Sequence, residues 1–164
     1  AFQRFAMPLS RTINSLGAVY FDHGLIRLRK VAFDRYYFTD LDSEFIVSDK
    51  DVLVDPTGKE FSIPTGFELV SYSDGILLLK KGENEYRYYT YKSTWLVDRT
   101  YSDASPFLEG VAVCCNNEGL YGVINNKGET VIPFRYDYIS NISSGIMAAY
   151  SQSKGWTVFE KLAK

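Results

Sequence analysis

A single histidine, two cysteines and no long block of either charge sign are the first features of this 164-residue sequence. Eighteen basic residues stand against twenty acidic ones, a net charge of -2, so the basic footprint that binds nucleic acid or an anionic membrane surface is missing. The longest apolar stretches, 75–79 and 110–115, are strand-sized and fall short of the ~20 residues that a membrane-crossing helix requires. The N-terminus has no basic region leading into an apolar run and a small-residue cleavage site. It opens Ala1-Phe2-Gln3-Arg4-Phe5 without a Met, which is expected of a piece cut from a longer chain. A cytoplasmic or an exported location stays open.

The two cysteines, Cys114 and Cys115, are adjacent. On a strand, neighbouring side chains point to opposite faces, so these two do not pair and no disulfide framework is expected. A metal or redox role would need a further Cys or His cluster, and His23 is read as a turn residue before Gly24. Nucleophilic catalysis would need an activated Ser or Cys beside a base, and no Gly-x-Ser-x-Gly elbow occurs. Asp40 and Asp42, or Asp49, Asp51 and Asp55, do not continue into the glycine and distal glutamate of a calcium loop and read as solvated turn acids. Gly119, Gly122 and Gly128 are turn and strand glycines, with no Gly-Lys-Ser/Thr to close a phosphate cradle. The expectation is a protein without catalytic, cofactor or metal residues.

Aromatic residues and a fixed period are what the sequence does have. Gly75, Gly110 and Gly145 are 35 residues apart, each followed by an apolar run, and eleven residues after each comes an aromatic: Tyr86, Tyr121 and Trp156. Phe67, Tyr101 and Tyr136 nearly keep step, as do Tyr72, Phe107 and Ile142, and Gly58 and Gly128 with Ser93 between them. Asp55-Pro56-Thr57-Gly58 and Asn125-Asn126-Lys127-Gly128 read as tight turns between β-branched strands. Pro64 and Pro133 should end those strands or confine them to an edge. Upstream, Phe21 to Arg29 repeats the pattern, with Ile26 and Leu28 inward and Arg27 and Arg29 outward. The stretch from Phe33 to Asp51 fits only with a shortened loop and is read as a degenerate repeat.

From Phe107 to Asp137 the chain resembles the WG-repeat family of bacterial β-rich proteins. The residues that carry the resemblance are Phe107-Leu108-Glu109-Gly110-Val111-Ala112-Val113, Tyr121-Gly122-Val123-Ile124-Asn125, Asn126-Lys127-Gly128, Val131-Ile132-Pro133 and Tyr136-Asp137. A weaker copy spans Val52 to Gly75, and Gly155-Trp156-Thr157-Val158 supplies a last one. The namesake Trp is Tyr86 and Tyr121 in two copies, and the following Gly becomes Arg87 or Thr157. A large aromatic at this column is expected to pack between neighbouring units. The resemblance implies an all-β repeat module with no shared activity, cofactor or catalytic residues.

The expected fold is therefore all-β, tandem hairpin repeats of about 35 residues stacked into an elongated, curved domain. Within a single domain over 1–164, residues 1–18 are unassigned or a cap, 19–51 a degenerate repeat, and 52–85, 86–120 and 121–164 repeats, the last with a C-terminal strand. The run from Glu85 to Trp95 places Arg87, Tyr89 and Tyr91 on one face of a strand, with Tyr86 and Tyr88 turned inward. Exposed Tyr beside Arg favours recognition, so Arg87, Tyr89 and Tyr91 form the candidate interaction surface. The expected function is a non-catalytic protein or peptide interaction module of a larger bacterial protein. The alternative is a carbohydrate or cell-wall binding module that uses exposed rings as platforms.

Overall fold

The computed structural model describes residues 11–13, 21–38 and 41–162, with side chains described from 21 to 30 and from 50 to 162. The sequence reading of 1–18 as a cap lies outside the described residues apart from 11–13. The chain is all-β, and no helix occurs among the described residues. It divides into two compact units, Ala1–Ser62 and Ile63–Lys164.

The first unit holds one antiparallel sheet in the order β1-β2-β3, from β1 (Arg11–Ile13), β2 (Ile26–Phe38) and β3 (Leu41–Val54). The sequence reading shortened the loop between 33 and 51. The chain instead lengthens both strands into one long ribbon, with Ile26 opposite Val54 and Phe38 opposite Leu41. At its base Ile26, Leu28, Val52 and Val54 form a buried cluster, as alternation predicts. Arg29 is exposed, while Arg27 is half-buried against the Asp51 carboxylate.

The second unit is built from three sheets. The first is β4 (Glu68–Ser73), β5 (Ile76–Lys81) and β6 (Glu85–Thr90). Next, in the order β10-β9-β8-β7, come β7 (Asp103–Ala104), β8 (Val111–Cys115), β9 (Tyr121–Asn125) and β10 (Thr130–Tyr136). Last are β11 (Tyr138–Ile139), β12 (Ile146–Ser151) and β13 (Gly155–Glu160). Pro133 lies in the edge strand β10, where a missing N–H is tolerated, and the register shifts beside it.

The period has a local cause. His23-Gly24, Asp74-Gly75, Glu109-Gly110 and Ser144-Gly145 each hold two consecutive positive φ values between paired residues, the geometry of a type I′ hairpin. A second turn recurs at 55–58, 116–119 and 125–128, closed in each case by a positive-φ glycine. There the Asp55, Asn116 or Asn125 side-chain oxygen accepts two backbone N–H bonds across the turn.

Between the first two sheets of this unit lies a core of Ile76, Leu78, Tyr88, Tyr101, Phe107, Ala112, Cys114 and Ile124. Between the second and third lies another, of Val113, Val123, Ile132, Tyr136, Ile139, Ile142, Met147 and Ala149. The middle sheet thus sends Ala112, Cys114 and Ile124 one way and Val113 and Val123 the other. Both of its faces are interior, and burial of a Val or Ile side chain there contributes roughly 1.5–3 kcal/mol. Residues one period apart take matching places: Ile76 and Leu78 face forward as Val111 and Val113 do, and Ala112 and Cys114 face back as Met147 and Ala149 do.

Candidate functional site

The three sequence candidates sit in the first sheet of the second unit. Arg87 and Tyr89 lie on β6 opposite Leu79 and Leu77, so all four share one face. Tyr91 falls one residue past the strand, in the turn that ends at Ser93, and Lys92 Nζ stands 5.7 Å from its ring. The turn brings Trp95 back along β6 to pair with Tyr89. Its ring lies 5.0 Å from that of Tyr89 and 5.3 Å from that of Phe67. The Arg87 guanidinium stacks on Trp95 at 3.8 Å, and its Nη2 donates to Asp98 at 3.2 Å.

Arg87 is therefore only 17% exposed, and Tyr89 is half-buried. One period on, the places of Arg87 and Tyr89 are held by Gly122 and Ile124, both buried. Facing away from Tyr88 does not mean facing water: Leu77 and Leu79 on that face are fully buried, and Trp95 lies over Arg87. Tyr86 and Tyr88 do turn into the core. Tyr88 is fully buried, and its hydroxyl donates to the Ser105 carbonyl at 2.6 Å, while Tyr86 packs at the margin. Trp95 and Asp98 were not singled out from the sequence; the signal was Trp95's place in the column of Glu60 and Thr130.

A different surface is open. On the third sheet Ile146, Trp156 and Val158 are 49%, 63% and 68% exposed, and Tyr138 is 49% exposed. The pairings Ala148 with Val158, Tyr150 with Trp156 and Tyr138 with Tyr150 gather these side chains on one face. One period earlier the places of Ile146, Ala148, Trp156 and Val158 are held by Val111, Val113, Tyr121 and Val123, which belong to the second core or pack on it. Trp156 was expected to pack between units as Tyr86 and Tyr121 do; no sheet among the described residues lies on its face. Near the Phe159 end of β13 a cleft of about 450 Å³ opens, lined in part by Val131, Ile132, Ile142, Met147 and Phe159.

Desolvation pushes the Cys114 thiol up to about 12, and both cysteines are buried and unbridged. His23 is in its turn, its ring nitrogen against the Asp22 carboxylate. Asp55 caps its turn, and the Thr57 hydroxyl, ahead of backbone N–H bonds, holds its carboxyl below the usual value. No group of three His, Cys, Asp or Glu suited to a metal occurs among the described residues.

Residues 121–156, from β9 into the start of β13, match the family model described as WG containing repeat. The sheets and the match define a β-repeat module. The chain is also similar to the crystal structure of the computationally designed Ika4 protein, at 9% identity and a TM-score of 0.47, over 98% of this chain and 99% of that one. No curated protein matches it.

Proposed function

We propose that this chain is a non-catalytic interaction module of a larger bacterial protein, binding a protein or peptide on the apolar face of β11, β12 and β13. The observation that carries the reading is the group Ile146, Trp156 and Val158, exposed at positions that belong to the second core or pack on it one period earlier. An exposed Trp beside β-branched residues offers a large apolar area at little entropic cost. The rings favour a polypeptide over a sugar: Trp156 meets Tyr138 at 82° and Tyr150 at 52°, which leaves no coplanar platform. Arg87 and Tyr89, already engaged by Trp95, support the first sheet in this reading.

Selection of a random peptide library on the full chain, alongside a panel of oligosaccharides, tests it. Peptides retained by the chain and by an Arg87→Ala/Tyr89→Ala/Tyr91→Ala variant, but lost by Trp156→Ala, are expected. Retention of glycans alone would replace this reading with the carbohydrate one. Loss in the triple variant with Trp156→Ala unaffected would return the site to β6.

A further inference from the structure

A second cleft of about 450 Å³ opens in the middle of the second unit, where the segment after β6 meets the β8–β9 turn and Phe134 of β10. Tyr101, one of its lining residues, is 2% exposed. Its ring is fixed between that of Tyr88, at 5.9 Å, and that of Phe134, stacked at 6.0 Å and 14°. Its hydroxyl nevertheless has no hydrogen-bond partner among the described residues. One period on, the same place is filled from within the chain, since Arg135 Nη2 donates to the Tyr136 hydroxyl at 3.3 Å. The counterpart of Arg135 is Thr100, too short to reach the tip of a phenol. The cleft stands where that arginine is missing.

The polar groups around it are mostly donors. Asn116 Oδ1 accepts the Glu118 and Leu120 N–H bonds at 3.0 and 2.9 Å, which leaves its Nδ2 for the cleft. Asn117 and Arg99 are exposed, and Arg99 makes no ion pair among the described residues. Burial pushes the Tyr101 phenol up to about 12, so it keeps its proton and donates as well. The one carboxylate lining the cleft, Asp98, is already engaged by Arg87 Nη2 at 3.2 Å. Such a surplus of donors around one cation calls for an anion. Beyond the face on β11, β12 and β13, we infer that this cleft is a separate binding site for a carboxylate, held by the Arg99 guanidinium with the Tyr101 hydroxyl and Asn116 Nδ2 donating to the same group. A carboxylate suits it better than a phosphate, because one guanidinium balances one negative charge and Asp98 beside it opposes a second. A free dicarboxylic acid and the glutamate side chain of a partner present the same chemistry, and the experiment separates them.

The test titrates the isotope-labelled full chain separately with succinate, acetyl-Gly-Glu-Gly-amide, succinamide and inorganic phosphate, and follows the side-chain N–H resonances of Arg99, Asn116 and Asn117. Saturable shifts with a carboxylate probe are expected, with none from succinamide and at least tenfold weaker binding of phosphate. Tighter binding of succinate identifies a free acid as the ligand, and tighter binding of the peptide identifies an acidic side chain. Arg99→Gln changes an exposed residue and Tyr101→Phe keeps the buried ring, so both should keep the fold by circular dichroism. Each should weaken the carboxylate at least tenfold, with Trp156→Ala unchanged. No saturation up to ~10 mM, equal binding of succinamide, phosphate binding as tightly as the carboxylates, or undiminished binding by either variant overturns the inference. So does loss of the carboxylate in Trp156→Ala, which would place it on the β11–β13 face. Peptides that bind that face and are lost in Trp156→Ala leave this site untouched, so the two readings fail separately.

Discussion

Ser93 holds a φ of 61° where Gly58 and Gly128 hold 84° and 82°. A side chain there crowds the backbone, so Ser93→Gly is expected to stabilise the second unit by about 0.5–1 kcal/mol, read as a higher urea midpoint. Glycine is needed for a different reason at Gly122, whose φ is not positive. A Cβ there would lie 2.7 Å from the Phe134 ring and 2.9 Å from the Ile132 carbonyl oxygen. Gly122→Ala should therefore cost about 1–3 kcal/mol by overpacking, and the same measurement checks it. Burial also sets an alkaline limit. It raises Tyr88 well above its ordinary 10 and pushes Tyr101 and Tyr121 up to about 12. Well below pH 10 both states keep these protons and the stabilisation is whole. From 10 to about 12 the unfolded chain releases protons that the folded chain retains, so stability falls. Urea midpoints across that range should decline, and less steeply in Tyr101→Phe.

Strand β8 shows how a single element serves two cores, Ala112 and Cys114 in one and Val113 in the other. The Cys114 thiol, held near 12, should resist alkylation at neutral pH in the folded chain and react once urea unfolds it, which mass spectrometry of the labelled peptide would show. This strand also marks where the sequence was legible. The 35-residue column of glycines was readable because each marks a positive-φ hairpin that few other residues tolerate. The strands were readable because β-branched runs stand between those turns. The facing of Arg87 and Tyr89 was not, because alternation separates two sides of a strand without saying which side meets water, and here both sides of the sheet are covered. The exposed face at Trp156 was hidden for the converse reason: its column aromatic packs against a core in the earlier copies. In the first unit, no turn glycine of the repeating kind interrupts the long ribbon, so the period gave no sign of its extra length.

At the scale of the whole molecule, the two units carry separate sheets. Both tryptophans lie in Ile63–Lys164, so their fluorescence follows that unit, whereas far-ultraviolet circular dichroism follows strands of both. Unfolding curves from the two probes are expected not to superpose. Within the second unit the matching of faces has an evolutionary reading. Leu78 and Cys114, 36 positions apart, share a core, while the adjacent Ala112 and Val113 share none. Gain or loss of a whole 35-residue block presents each remaining face with the kind of partner it already had. A single inserted residue within a strand sends every later side chain of that strand to the opposite core. Such a lineage changes length readily in multiples of its period and resists changes of one.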